Sequence, residues 1–405
     1  MHAFTRLTGA TLFDLLITNA RLYPMTGDQV LPAREDSLAI RDGKIVGLGV
    51  NGLARETLDA RGRALLPGFI DCHTHALWAG DRLGEHLARL AGASYQDIAK
   101  AGGGILSTVR AVRECSEQDL AASALPRLNA LLREGVTNIE VKSGYGLDTE
   151  SELKMLRAIG RLGELSGLDI HPTFLGAHAI PADAQADQYL DQVCDEMLPA
   201  VAAGGLAEAV DIYVERIAFG VEHMRKLFEQ AAAFNLGCRV HAEQFSDMGA
   251  SALAAKMNAL SCDHLEYTGE AGAAAMGRAG SVAVLLPAPF YFLKETQKPP
   301  VALFREHQVP MALATDLNPG SSPVASLLTC IHMAPVFFGL TPDECLLGVT
   351  RHAARALGKD AELGTLAAGK TANFCLWDLA DPRALTYQLG GLLPEAVYIR
   401  GKRHA

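Results

Sequence analysis

A chain of 405 residues, 49% hydrophobic and 20% charged, can bury a core the size of an α/β barrel or of two to three smaller domains. Its net charge of −10 and the absence of a basic run argue against a nucleic-acid surface, and no uncharged apolar stretch reaches the roughly 18 residues of a membrane span. The eight cysteines are scattered without a Cys-x-x-Cys, and residues 1–11 lack the apolar core of a signal peptide, so a soluble cytoplasmic protein is expected.

Residues 14–50 read as strands. Leu15 to Leu22 is one apolar run, and Asp42-Gly43 separates Ser37–Arg41 from Lys44–Leu48 as a type I′ turn would. Similar strand material recurs at Ala372–Trp377 and Ala396–Arg400. A composite β-sandwich built from both termini is therefore expected, over residues 1–65 and 365–405. Between them, residues 66–364 alternate short apolar runs with helical patterns. Eight candidate strands fall at 68–73, 137–143, 171–177, 209–215, 237–242, 259–265, 281–287 and 310–316. Helical periodicity fills segments such as 151–165 and 223–234, and Ser116 stands as an N-cap before Glu117 and Asp119. Eight strands alternating with helices predict an α/β protein of the (β/α)8, TIM-like barrel type. The other candidate, an open doubly wound sheet, lacks its Gly-x-Gly-x-x-Gly after the first strand.

Polar residues gather where these strands end. Pro67-Gly68-Phe69-Ile70-Asp71-Cys72-His73-Thr74-His75 finishes an apolar run with two imidazoles one residue apart. Positions i and i+2 of a strand share a face, so the two rings converge. Lys142 to Tyr145 end strand two and His178 ends strand three. His241, Glu243 and Gln244 end strand five, His264 and Glu266 strand six, and Asp316 strand eight. The C-terminal mouth is where a barrel of this type places its chemistry. His73, His75, His241 and Asp316 together supply three neutral nitrogens and one carboxylate, a set suited to zinc or ferrous iron. Such an ion lowers the pKa of water from about 15.7 toward roughly 7, giving a nucleophile at neutral pH. Asp316 could accept the water proton and pass it on, with His264 and Glu243 as orienting or proton-shuttling groups. Strand four contains no lysine to join Lys142 across two ions. One metal is expected, with Lys142 structural or facing the substrate.

These segments resemble the amidohydrolase superfamily, whose barrels carry His-x-His on strand one and Asp on strand eight, and within it the imidazolonepropionase family. The match runs in order through Pro67–His75, Ala101–Arg110, Glu140–Leu147, Thr173–His178, His241–Phe245, Asp263–Tyr267 and Thr315–Pro323. Lys142-Ser143-Gly144-Tyr145-Gly146 and Asn318-Pro319-Gly320-Ser321-Ser322 are its most selective parts.

The resemblance implies hydrolysis of the cyclic amide in 4-imidazolone-5-propanoate, giving N-formimidoyl-L-glutamate. It implies Arg82 as the cation for the propanoate, with Tyr145, His178, Gln244, Asn318, Gly320 and Ser321 as further substrate contacts. His178 or His264 would donate to the developing oxyanion, and Asp316 would protonate the leaving nitrogen. A homodimer is implied too, acting on a small molecule with no nucleic acid or membrane partner. Gly102-Gly103-Gly104 is expected to form a mobile or close-packed loop near the site, and Cys72, Trp78 and Asp81 depart from the family pattern around Arg82. The competing activity is deamination of a purine or pyrimidine base by the same ligand set. A third reading, a barrel without catalysis, would predict eroded ligand positions, and none looks eroded.

Overall fold

A computed structural model describes residues 12–92 and 102–405. The expectations for residues 1–11 and for Ala101 fall outside that range. Six strands come first: β1 (Phe13–Thr18), β2 (Arg21–Leu22), β3 (Leu38–Arg41), β4 (Lys44–Leu48), β5 (Ala54–Asp59) and β6 (Ala64–Pro67). The barrel strands follow as β7 (Phe69–Asp71), β8 (Val136–Lys142), β9 (Asp169–Ala177) and β10 (Ala209–Val214). They continue as β11 (Gly237–Ala242), β12 (Ser261–His264), β13 (Val282–Leu285) and β14 (Met311–Leu313). Three strands close the chain: β15 (Phe374–Trp377), β16 (Ala396–Ile399) and β17 (Lys402–Arg403).

The terminal strands make two sheets, ordered β4-β3-β1-β5 and β17-β16-β15-β6-β2. Asp42 and Gly43 both take positive φ, 52° and 69°, as the turn between β3 and β4 requires. Leu15, Ile17, Leu38, Ile40, Leu65, Phe374 and Tyr398 fill the space between the sheets. The pairing of β6 with β15 joins the two ends of the chain in one sheet.

The middle of the chain forms the expected barrel: β7 to β14 pair in sequence order, every neighbour parallel. Helices on the outside bury the apolar faces, so strands such as β8 are buried along their whole length. Asn138, Glu140 and Lys142 alternate along β8 onto one face. That face carries charge rather than the usual branched apolar layers. No ladder joins β7 to β14; the mouth supplies the seam. Asp316 N donates to His73 O at 3.0 Å and His75 N donates to Leu317 O at 3.0 Å. Below them, the Asp71 carboxylate accepts from Thr315 N at 3.1 Å and from Thr315 Oγ1 at 2.6 Å.

The strands stop earlier at the mouth than the apolar runs suggest. β14 ends at Leu313 rather than near 316, and β7 at Asp71 rather than 73. Glu243, His264, Leu265 and Asp316 all have positive φ, at 56°, 79°, 73° and 50°. Non-glycine residues there are uncommon and turn the chain out of the ladder, re-aiming side chains into the mouth. Among the described residues, no helix is long and apolar enough to cross a membrane.

Candidate active site

His73, His75 and His241 meet at the mouth, with one ring nitrogen of each within 4.8 Å of the others. All three are buried. His241 Nε2 faces His75 Nε2 at 3.4 Å, and Asp316 Oδ1 lies 3.4 Å from both His73 Nε2 and His75 Nε2. His73 Nε2 is buried without a hydrogen-bond partner. Three converging imidazole nitrogens beside a carboxylate oxygen are costly to desolvate without a cation between them. The donor set fits a divalent metal ion. Burial pushes the His73 and His75 pKa values well below the usual range, so both rings are neutral, as ligation needs.

The far nitrogens of two of these histidines are held by acids on other strands. His73 Nδ1 lies 2.6 Å from Asp263 Oδ2, and His241 Nδ1 lies 3.1 Å from Asp211 Oδ1. Each carboxylate accepts the Nδ1 proton and leaves the Nε2 lone pair free. Burial alone would raise Asp211, but His241 and Lys142 beside it hold it well below the usual carboxylate range. Lys142 Nζ sits 2.8 Å from Asp211 Oδ2 and 2.7 Å from Glu140 Oε1. Arg239 Nη1 reaches Glu140 Oε1 at 3.2 Å. Lys142 is therefore an interior counter-ion, the structural alternative of the two expected from its position. Neither Asp211 nor Asp263 has a role assigned from the sequence. Asp211 is the one charge inside the apolar strand Ala209–Val214, and that isolation is the signal that a buried partner exists.

His178 stacks on His75, ring centroids 4.9 Å apart and 19° from parallel, and Tyr145 lies 5.4 Å from His178. His178 Nδ1 is 2.9 Å from the Gly144 carbonyl, which can only accept, so Nδ1 carries the proton. Burial lowers the His178 pKa to about 4, so the ring is neutral and its Nε2 is an acceptor. Tyr145 is buried and its hydroxyl is pushed above the usual range, first by burial and then by Asp316. His264 rests 5.4 Å from His241, ring to ring, with Nδ1 unpartnered. Asp316 is raised to about 7, chiefly by burial. Gln244 Oε1 accepts from Tyr213 Oη at 3.1 Å, tying it to β10. Glu243 is expected as an orienting or proton-shuttling group, and its carboxylate is engaged with the protein itself. Its oxygens accept from Ser251 N at 3.0 Å and Thr268 Oγ1 at 2.5 Å, bracing the helix Ala250–Lys256.

Arg82 stands beside the turn that follows Asp316. A side chain built at Gly320 would come 3.4 Å from Arg82 Nη1. The guanidinium pairs with Glu85 at 2.5 Å, and Glu85 Oε1 also accepts from Gly104 N at 3.0 Å and Ser107 Oγ at 3.1 Å. Gly104 is thereby tied by its N–H to the acid that pairs with Arg82, which places this end of the glycine loop near Arg82. Asn318, expected as a substrate contact, organises the turn. Its Oδ1 accepts from Gly320 N and Ser321 N, both at 2.8 Å, so these two amides are spent inside the turn. Its Nδ2 donates to Asp316 O at 2.7 Å and to Ser321 Oγ at 3.0 Å, fixing the backbone on which Asp316 is carried.

Comparison with known proteins agrees with this geometry. An imidazolonepropionase of Bradyrhizobium sp. strain BTAi1 is 53% identical over 391 residues, covering 94% of this chain and 97% of its own. One from Methylobacterium sp. strain 4-46 is 54% identical over 387 residues, with 94% and 97% covered. In fold, the chain is similar to a zinc-bound adenosine deaminase from Xanthomonas campestris, with TM-score 0.73 and 17% identity over 98% of this chain and 93% of that one. The amidohydrolase family model matches residues 64–403. The chain belongs to the amidohydrolase family.

Proposed function

We propose that the chain is an imidazolonepropionase that hydrolyses 4-imidazolone-5-propanoate to N-formimidoyl-L-glutamate. The observation that carries this reading is the near full-length identity of about half to imidazolonepropionases. The three-histidine cluster with Asp316, and a guanidinium nearby at Arg82, give that activity a physical basis. In the reaction a water oxygen bonds to the ring carbonyl carbon, the carbonyl–nitrogen bond breaks, and the amidine nitrogen takes a proton. Two ends of the substrate need handling, an anionic arm and a carbonyl that becomes an oxyanion.

His73, His75, His241 and Asp316 would hold one zinc or iron ion. That ion, when bound, acidifies water and polarises the carbonyl. Arg82 offers the planar fork for the propanoate. Asp316, raised to about 7, has the basicity to accept a proton from the attacking water and return it to the leaving nitrogen at neutral pH. Of the two imidazoles considered for the oxyanion, we favour His264. Neutral His178 spends its one proton on Gly144 and has none left to donate. His178 instead offers an acceptor to a substrate N–H, beside Tyr145. The reading describes a cytoplasmic enzyme, dimeric by analogy, acting on a free small molecule.

The test is loss of 4-imidazolone-5-propanoate, followed spectrophotometrically, with metal-replete protein and again after chelation. Turnover that chelator abolishes and added zinc or iron restores is expected. No turnover by metal-replete protein, with ammonia released instead from a cytosine or adenine derivative, would move the chain to the deaminases. Asp316→Asn should fold and bind substrate but turn over at least about a hundredfold more slowly.

A further inference from the structure

Glu152 lies on the helix Thr149–Ser166, outside the strand-end cluster, and is fully buried. Its carboxylate is spent entirely on the loop that leaves β8. Oε2 accepts from Gly144 N at 3.0 Å, and Oε1 accepts from Gly146 N at 2.7 Å and Leu147 N at 2.9 Å. Ser143 adds a side-chain hydrogen bond to the same carboxylate. Four donors from consecutive turns of one loop converge on a single side chain. Tyr145 sits in the middle of that loop. The Gly144 carbonyl, on the residue whose N–H Glu152 holds, is the acceptor that sets the His178 tautomer.

The loop has no freedom to compensate. Gly144 has φ 109°, and a side chain there would come 2.9 Å from Leu175 O and 3.0 Å from His178 Nδ1. A side chain at Gly146 would come 2.5 Å from Glu152 N. Backbone, helix and imidazole are locked in one arrangement with Glu152 at its centre. We propose that Glu152 is a positioning residue for substrate binding, acting through Gly144 on the orientation and tautomer of His178 and through Gly146 and Leu147 on Tyr145. This rests on the activity proposed above, because His178 and Tyr145 matter only if they meet that substrate.

Glutamine is the informative replacement. If its carbonyl takes the Gly146 and Leu147 protons, its NH2 is turned toward the Gly144 N–H, donor against donor. Glu152→Gln therefore releases Gly144 while keeping the rest of the loop. Kinetics of the metal-loaded full chain should be compared for wild type, Glu152→Gln, His178→Ala and the double variant, with metal content and melting temperature of each. We expect Glu152→Gln to raise KM by about tenfold with metal content unchanged, the size of one hydrogen bond to a charged group. In the His178→Ala background the same change should move KM by less than about twofold, the non-additivity of residues acting as one unit. Wild-type KM in Glu152→Gln, or equal effects in both backgrounds, would overturn the proposal. If Glu152→Gln does not fold, Glu152→Asp carries the same comparison, and failure of both to fold would assign Glu152 to stability alone. Absence of turnover in the wild type would instead defeat the activity itself.

Discussion

His73 Nδ1 and Asp263 Oδ2 are 2.6 Å apart, closer than the 3.4 Å that separates Asp316 Oδ1 from His73 Nε2 and from His75 Nε2. The acid on β12 thus holds the ring of His73, two residues past the end of β7. Asp263→Asn keeps the shape but weakens the acceptor, and metal affinity should fall by about 10- to 100-fold. Competition against a chelator of known affinity measures this. Unchanged affinity would show that His73 needs no help in choosing its tautomer.

Two guanidinium groups stand next to the Asn318–Ser321 turn, Arg82 and Arg89, and Arg89 Nη2 is already spent on Gly320 O at 3.4 Å while the amides of Gly320 and Ser321 are closed on Asn318. Under the proposed activity the substrate carboxylate would then depend on Arg82 rather than on these amides. Arg82→Ala should raise KM by at least about tenfold while kcat moves much less, and Arg82→Lys should recover only part because it lacks the bidentate fork. A fall in kcat alone, at constant KM, would place Arg82 in the chemical step.

Lys142 is the cation between Glu140 and Asp211, all three buried. Lys142→Met removes one partner and leaves two acids in a dry interior. Breaking such a pair costs about 3–5 kcal/mol. Urea denaturation of the chelated chain, where ligation adds nothing, should show a loss of this size. A near-neutral result would mean that water or proton uptake neutralises the acids.

Glu266 is buried, its Oε2 has no partner, and burial lifts its carboxyl to about 8. The folded chain therefore keeps a proton that the unfolded chain gives up near pH 4.5. Stability from this group is fully present below the unfolded value and is lost as pH rises toward about 8. Glu266→Gln, which cannot ionise, should gain in melting temperature over wild type between pH 5 and pH 9. Parallel curves for the two proteins would remove Glu266 as the cause.

Sequence made the barrel and its cluster of three histidines legible because both follow from local pattern. Strand runs repeat eight times, and a histidine or aspartate marks the end of several. What it hid depends on contact across the barrel. Asp211 and His241 are 30 positions apart, and Asp263 and His73 are 190 apart. No spacing rule pairs them. Glu243 follows His241 by two, so alternation puts both on one face, yet its φ of 56° sends its carboxylate to Ser251 and Thr268. A left-handed residue breaks the period of two, and such breaks occur at the mouth where the reading matters most. Asn318, Gly320 and Ser321 carry an expectation of substrate contact, and three neighbouring polar residues cannot show in sequence which of them bond to one another. Asn318 Oδ1 settles in the turn because its own chain reaches it first.

The seam between the first and last barrel strands has a consequence for how the molecule is made. Asp71 and Thr315 hold that seam from positions 244 residues apart, and His73 and Asp316 flank them. A chain emerging from the ribosome displays His73 and His75 early but has no Asp316 until four-fifths of it has been synthesised. A metal ion captured on the way would find two imidazoles on an open edge and nothing opposite. The four side chains proposed to share an ion come together only once that seam has closed.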